Sequence, residues 1–205
     1  MSELDLDVEA AYDFYRKYIL LVQDKAEVYE KYGFSIQRAV GSKDWEVFAA
    51  ILLRGKAKGG VGADLQKYEI KSAVDGSSYE YQYHKNTGLE KLEEDKQVDH
   101  VFIARSRDYQ DIEVWLVERV FMQPKFEKWQ PELIENYKND LRQRFRRSIT
   151  HNFVKEHGTQ IMQIAQGELT NFLTQIPLPH IFADLQDANA SPDTDAQTFN
   201  SNRKS

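Results

Sequence analysis

The stretch Gly59-Gly-Val-Gly-Ala-Asp64-Leu-Gln-Lys-Tyr-Glu69-Ile-Lys71-Ser72 decides how the rest of the chain is read. Its glycines supply a bend, because a residue without Cβ enters left-handed backbone at little cost. The residues behind the bend alternate as a strand over 65–74. Tyr68, Ile70 and Ser72 share one face, and Lys67, Glu69, Lys71 and Ala73 share the other. Glu69 and Lys71 therefore project into the same space. Asp64 is separated from Glu69 by an odd number of positions, so a straight strand would turn it to the opposite face. A glycine bend returns its carboxylate toward Glu69; failing that, Glu46 or Asp44 from the preceding helix supplies the first acid. Two carboxylates and an ammonium at one point can hold a hard cation such as Mg²⁺ beside a phosphate and direct water against it. The chemistry expected is nuclease chemistry. Its catalytic residues are Asp64, Glu69 and Lys71, with the metal held by Asp64, Glu69 and the carbonyl of Ile70.

A Glu-x-Lys pair alone is also what a solvated strand face looks like in a charged chain. Here it follows a basic cluster, Arg54-Gly-Lys56-Ala-Lys58, and the glycine bend. Upstream, Val8, Ala11, Tyr12, Tyr15, Tyr18, Ile19, Val22, Ala26 and Tyr29 recur at helical spacing, and Gly33 is a stop. That predicts a long amphipathic helix over 8–32 used for packing or subunit contact. A second, shorter helix carries Trp45, Phe48, Ala49 and Leu52, with Ser42 as its cap and Gly55 as its end.

Downstream, Asp75-Gly-Ser-Ser reads as a hairpin turn into Tyr79–His84. There the tyrosines at 79, 81 and 83 form one face and Glu80, Gln82 and His84 the other. After a polar segment, the apolar runs 98–104 and 112–121 read as buried strands. Pro124 and Pro131 break the pattern ahead of a helix from Glu132 to Arg147, whose arginines at 142, 144, 146 and 147 lie partly off its apolar face. These suit phosphate contact or, equally, a solvated face with internal ion pairs. Residues 148–158 fit either an extended return or more helix, and 160–185 reads as an amphipathic helix interrupted by Pro177 and Pro179. The whole is an α/β chain, a mixed sheet flanked by helices, in one domain over 1–185 with a disordered polar tail at 186–205.

With 205 residues, one domain of ordinary size is expected. The chain has no cysteine, so disulfides and thiolate metal sites are excluded, and a reducing, cytoplasmic setting is expected. No apolar run approaches the roughly 20 residues that span a bilayer, and no leader pattern opens the chain, so no membrane partner is expected. The net charge of −6 argues mildly against a nucleic-acid partner, but the basic residues cluster while the acids lie elsewhere.

Tyr68-Glu69-Ile70-Lys71-Ser72 resembles the active-site strand of the PD-(D/E)xK nuclease superfamily, and most closely the PvuII-type restriction endonucleases. Lys31-Tyr-Gly-Phe, Tyr83-His84-Lys85-Asn86 and Glu156-His157-Gly158-Thr159-Gln160-Ile161 follow the same family in the same order. The resemblance covers about residues 22–161. It implies a restriction-endonuclease-like fold and a homodimeric, Mg²⁺-dependent enzyme that cuts both strands of double-stranded DNA at a short palindromic site, leaving 5′-phosphate ends. In its terms Glu69 is the metal-binding glutamate, Lys71 the catalytic lysine and Asp64 the first metal acid, at a shorter separation than the family has. His84 falls where the family reads bases, with Tyr83 where the family has a second histidine. Gln82, Lys85, Asn86, Arg144 and Arg147 complete the expected DNA contacts. A nicking or repair nuclease of the same superfamily, or a non-catalytic DNA-binding module of that fold, are the alternatives.

Overall fold

Val101-Phe-Ile-Ala104 is apolar at every position, so a strand made from it needs cover on both faces. The computed structural model describes residues 3–33, 40–59, 63–139 and 143–177, and the cover is there. β4 (Asp99–Arg105) lies inside a five-stranded mixed sheet with β2 (Tyr68–Val74), β5 (Ile112–Val117), β7 (Thr159–Ala165) and β8 (Glu168–Phe172), in the order β2-β4-β5-β7-β8. β2 runs parallel to β4; the other neighbours are antiparallel. Among the described residues β2 is hydrogen-bonded into this sheet on one side only.

One face of the sheet packs against α1 (Val8–Phe14) and α3 (Ser42–Leu52). Trp45, Phe48 and Leu52 meet Ile70, Val101, Ile103, Val114 and Leu116 there. The other face is covered by α5 (Arg119–Lys138), α6 (His151–His157) and a separate two-stranded ribbon of β3 (Tyr79–His84) with β6 (Arg144–Ile149). Phe102 and Val117 are buried on that side against Tyr79, Met122, Phe126 and Val154. A short pair, β1 (Glu3–Asp5) with β9 (Gln175–Pro177), ties the chain's beginning to its later part.

The expected N-terminal helix forms with a change of winding. α1 passes into a π-helical segment, Tyr15–Leu20, before α2 (Val22–Lys31), and Gly33 with φ 77° follows its end. α3 begins at Ser42 with Gly41 as cap: the Gly41 N–H donates to Oδ2 of Asp44 at 2.8 Å. Asp44 is thereby engaged at the helix start, and it is not among the residues that line the cleft at β2. The turn at 75–78 forms, with Gly76 at φ 72°, but β3 leaves the sheet and pairs with β6 instead of forming a ladder with β2.

Later segments depart further from expectation. The run 112–121 is not one strand, because β5 stops at Val117 and α5 starts at Arg119, whose N–H donates to the buried Asp99 carboxylate at 2.8 Å. Pro124 and Pro131 lie inside α5 instead of breaking it. Each sits on the exposed face, two turns apart, where the carbonyl left without a donor can be hydrated, while Met122, Phe126, Trp129 and Leu133 hold the buried face. The helix expected to reach Arg147 ends at Lys138, and 144–149 is β6. Residues 160–172 form a hairpin, not a helix: Gln166 and Gly167, at φ 54° and 79°, make the tight turn between β7 and β8. Residues 60–62, Arg142 and the tail expected at 186–205 lie outside the described residues. Among those described, no helix is long and apolar enough to cross a membrane.

Candidate active site

A cleft of about 340 Å³ runs along the free edge of β2, between α3 on one side and α4 (Gly88–Asp95) on the other. Trp45 and Glu46 of α3, Asp64, the strand residues Glu69, Ile70 and Lys71, and Lys91 of α4 line it. The bend that carries Asp64 is held at both ends. Ala57 bridges Leu65, and Glu94 of α4 accepts from Lys58 Nζ at 2.6 Å and from the Ala63 N–H at 3.3 Å.

The strand expected over 65–74 starts only at Tyr68: residues 65–68 form a turn, the Leu65 N–H donating to the Tyr68 carbonyl at 2.9 Å, and through it Asp64 turns back on the strand. Its N–H donates to Oε2 of Glu69 at 3.2 Å, and its Oδ2 accepts the Ile70 N–H at 3.0 Å. The odd spacing that separates the two acids on a straight strand is overcome by this reversal, and they face one cleft. The N–H and C=O of a strand residue point to the same side. The Ile70 N–H is directed at Asp64, so the Ile70 carbonyl also faces the open edge.

Glu69 is fully buried. Its Oε1 accepts from both Lys71 and Lys91, the latter at 2.9 Å. Burial alone would raise the Glu69 pKa, but the two ammoniums outweigh it and hold the group below the usual carboxylate range. Asp64 has gone the other way: burial, then the charge of Glu69, push it up to about 6. Lys71 Nζ also sits 4.8 Å from the ring centre of Tyr81. Glu46, the other first-acid candidate, is at the rim in contact with Lys43.

This donor set fits a hard divalent cation. A cation between Asp64 and Glu69 would offset the burial that chiefly raises Asp64 and the repulsion from Glu69 that adds to it, and the Ile70 carbonyl would add a neutral oxygen. Among the described residues no three His, Asp or Glu side chains cluster as a metal cage. Mg²⁺ does not need one, since it keeps several waters and takes substrate phosphate oxygens beside one or two carboxylates.

Behind these residues lies a buried polar layer that the sequence reading missed. Tyr81 OH lies 2.8 Å from His100 Nδ1, and His100 Nε2 lies 2.9 Å from the Asp95 carbonyl. A carbonyl can only accept, so Nε2 carries the proton, Nδ1 accepts from Tyr81, and the ring is neutral. Burial lowers the His100 pKa to about 4 in keeping with that. Lys91 and Asp95 were read as part of a polar segment. The signal that could have found them is the helical spacing of Gly88, Leu92 and Asp95, all buried, which places Lys91 beside the same face.

The expected DNA contacts separate into exposed and buried groups. On β3–β6, Gln82 is registered with Arg146 and His84 with Arg144; all four are exposed on the ribbon's solvent face, and Lys85 and Asn86 are exposed in the turn that follows. Tyr83 is not on that face. It is fully buried, and its hydroxyl donates to Oδ2 of Asp95 at 2.9 Å, so it supports α4 instead of meeting a ligand. Arg147 points the other way from Arg146, its Nε donating to Glu132 of α5 at 2.8 Å and its guanidinium 4.1 Å from the Phe145 ring centre. That is the internal ion pair, one of the two readings open for the arginines. His157 packs its ring 4.4 Å from that of Phe153, away from the cleft residues. No protein-family model matches this chain, and no curated protein matches it in sequence.

Proposed function

We propose that this protein is a Mg²⁺-dependent DNA endonuclease of the restriction-endonuclease-like class, which cuts both strands of a short palindromic site as a homodimer and leaves 5′-phosphate ends. One observation carries the reading: Asp64 and the buried Glu69, brought together by the turn at 65–68, line one cleft with Lys71 at a sheet edge. The strand–ribbon arrangement adds to it, because the exposed row of Gln82, His84, Arg144 and Arg146 presents hydrogen-bonding and cationic groups on the β3–β6 ribbon. A two-stranded ribbon is narrow enough to enter the major groove of DNA. Support for a second copy comes from Tyr18, Leu21, Val28, Tyr29 and Tyr32, all exposed along the N-terminal helices. A palindrome requires two such sites related by a twofold axis.

Asp64, Glu69 and the Ile70 carbonyl would hold Mg²⁺, which supplies polarisation of the phosphate and acidification of water. Lys71, beside Glu69, holds the attacking water in line and opposes the negative charge that grows on the phosphoryl oxygens. The water oxygen bonds to phosphorus, giving up a proton to solvent, as the bond to the 3′ oxygen breaks. That oxygen leaves with a proton from solvent, giving a 3′-hydroxyl and a 5′-phosphate.

The test is digestion of supercoiled plasmid with Mg²⁺, followed by end mapping. Discrete linear fragments with 5′-phosphate ends are expected, and Lys71→Ala should slow cleavage by about 100-fold or more while DNA binding persists. Open circles that never linearise would reassign the protein as a nicking nuclease. No metal-dependent cleavage of any DNA by the wild type would overturn the enzyme reading.

A further inference from the structure

α4 brings two charged residues, one turn apart, against the buried side of Glu69. Lys91 Nζ is 2.9 Å from Oε1 of Glu69 and 3.5 Å from Oδ1 of Asp95. Asp95 is fully buried, and its two oxygens are served unequally: Oδ2 accepts from Tyr83, whereas Oδ1 accepts no hydrogen bond among the described residues. Glu69 Oε1 is in the opposite situation, with both Lys71 and Lys91 on one oxygen. A small swing of the flexible lysine stem exchanges one carboxylate for the other. The helix that carries Lys91 need not move, because Tyr83 and the His100 contact to the Asp95 carbonyl hold its end.

We propose that Lys91 is a positioning residue which competes with the divalent cation for Glu69, with Asp95 as the alternative seat for its ammonium. This rests on the reading of Glu69 as a cation ligand. Binding of the cation to Glu69 displaces the ammonium toward Asp95, which then gains a full hydrogen bond for its second oxygen. Asp95 thus favours cation binding without touching the ion, and Lys91 opposes it. Lys71 remains with the cleft throughout, so the two lysines have separate duties: one beside the phosphate, the other governing how readily Glu69 is released to the ion.

The experiment is calorimetric titration of Mn²⁺ into the full-length protein without DNA, comparing wild type, Lys91→Met, Asp95→Asn and the double variant. Lys91→Met removes the competitor and should tighten Mn²⁺ binding about fivefold or more; Asp95→Asn removes the alternative seat and should weaken it by a similar factor. In the Lys91→Met background, Asp95→Asn should change the affinity by less than about twofold, because no ammonium is left to seat. Lys91→Arg, which keeps the charge, should return the affinity toward wild type. Urea unfolding checks that each variant folds, and Lys91→Gln makes the same comparison if the methionine variant does not. An Asp95→Asn effect that is equally large in both backgrounds is a through-space charge effect and overturns the proposal, as does weaker or unchanged Mn²⁺ binding in Lys91→Met. Glu69→Gln separates the two levels of argument. If Mn²⁺ binding is absent in wild type or survives Glu69→Gln, the cation reading fails and this proposal with it; if binding needs Glu69 but the lysine and aspartate variants do not move it as described, this proposal alone fails.

Discussion

Replacing His100 by glutamine tests the buried layer that holds the cleft in place. The imidazole is fully buried between Tyr81 and the Asp95 carbonyl, with its pKa lowered from 6.5 to about 4, chiefly by burial. Below pH 6.5 the unfolded chain takes up a proton at this position that the folded chain refuses. Its contribution to stability is therefore complete above about pH 6.5 and is lost as the pH falls toward 4. Between pH 7 and pH 4.5 the loss from this one group is about 2 kcal/mol. Asp64 and Asp99, each pushed up to about 6, titrate with the opposite sign in much of this range, so the wild-type profile alone is not diagnostic. The difference between wild type and His100→Gln cancels them. Glutamine can still donate to Asp95 and accept from Tyr81, but it loses the ring contact with Phe126 at 5.2 Å, so it should be the less stable protein at pH 7. Urea unfolding across pH 4.5–7 should show that gap shrinking by about 2 kcal/mol on acidification. A gap that stays constant would mean that His100 titrates alike in both states, and the neutral, proton-refusing role assigned to it would be wrong.

Gly158→Ala should lower stability by about 1–3 kcal/mol, read as a fall in urea midpoint, because a Cβ there would lie 2.6 Å from the Val154 carbonyl and 3.1 Å from Val117. Tyr83→Phe strips the donor from buried Asp95 and should destabilise by about 1–3 kcal/mol; DNA affinity, measured on the folded protein by fluorescence anisotropy, should stay within about twofold. Replacing both Arg144 and Arg146 by glutamine should reduce the slope of log affinity against log salt by about 2. An unchanged slope would assign those side chains to the ribbon's own pairs with Gln82 and Glu80.

The cleft was legible where the physics is local. A period of two fixes that Glu69 and Lys71 share a face, but residue order left the first acid open between Asp64, Glu46 and Asp44, because the turn at 65–68 that brings Asp64 back carries no glycine. The acid's exact partners, Ile70 N–H and Glu69, needed the fold. Lys91 was lost because α4 has few apolar positions to announce a helix, and its buried members include a glycine and an aspartate. Prolines misled in α5, since their effect depends on which face they occupy, and that is decided by packing from residues far away. The arginine strand was open to a better reading: Phe145 and Ile149 bracket Arg147 at alternate positions, which is a strand period set aside in favour of the helical run before it. At 160–172 the pair Gln166-Gly167 was the overlooked turn signal.

A strand that ends a sheet offers its main chain to any passing extended peptide, and a protein that must keep such an edge open for a ligand has to guard it by other means. Asp64 does so here by taking up the Ile70 N–H with its own carboxylate. The same side chain that is assigned to the chemistry thus also keeps the strand from recruiting a neighbour. Alanine at this position would remove both duties at once, whereas asparagine would keep the acceptor and give up only the charge, so the two replacements part company in solubility even where they agree in losing the carboxylate's charge.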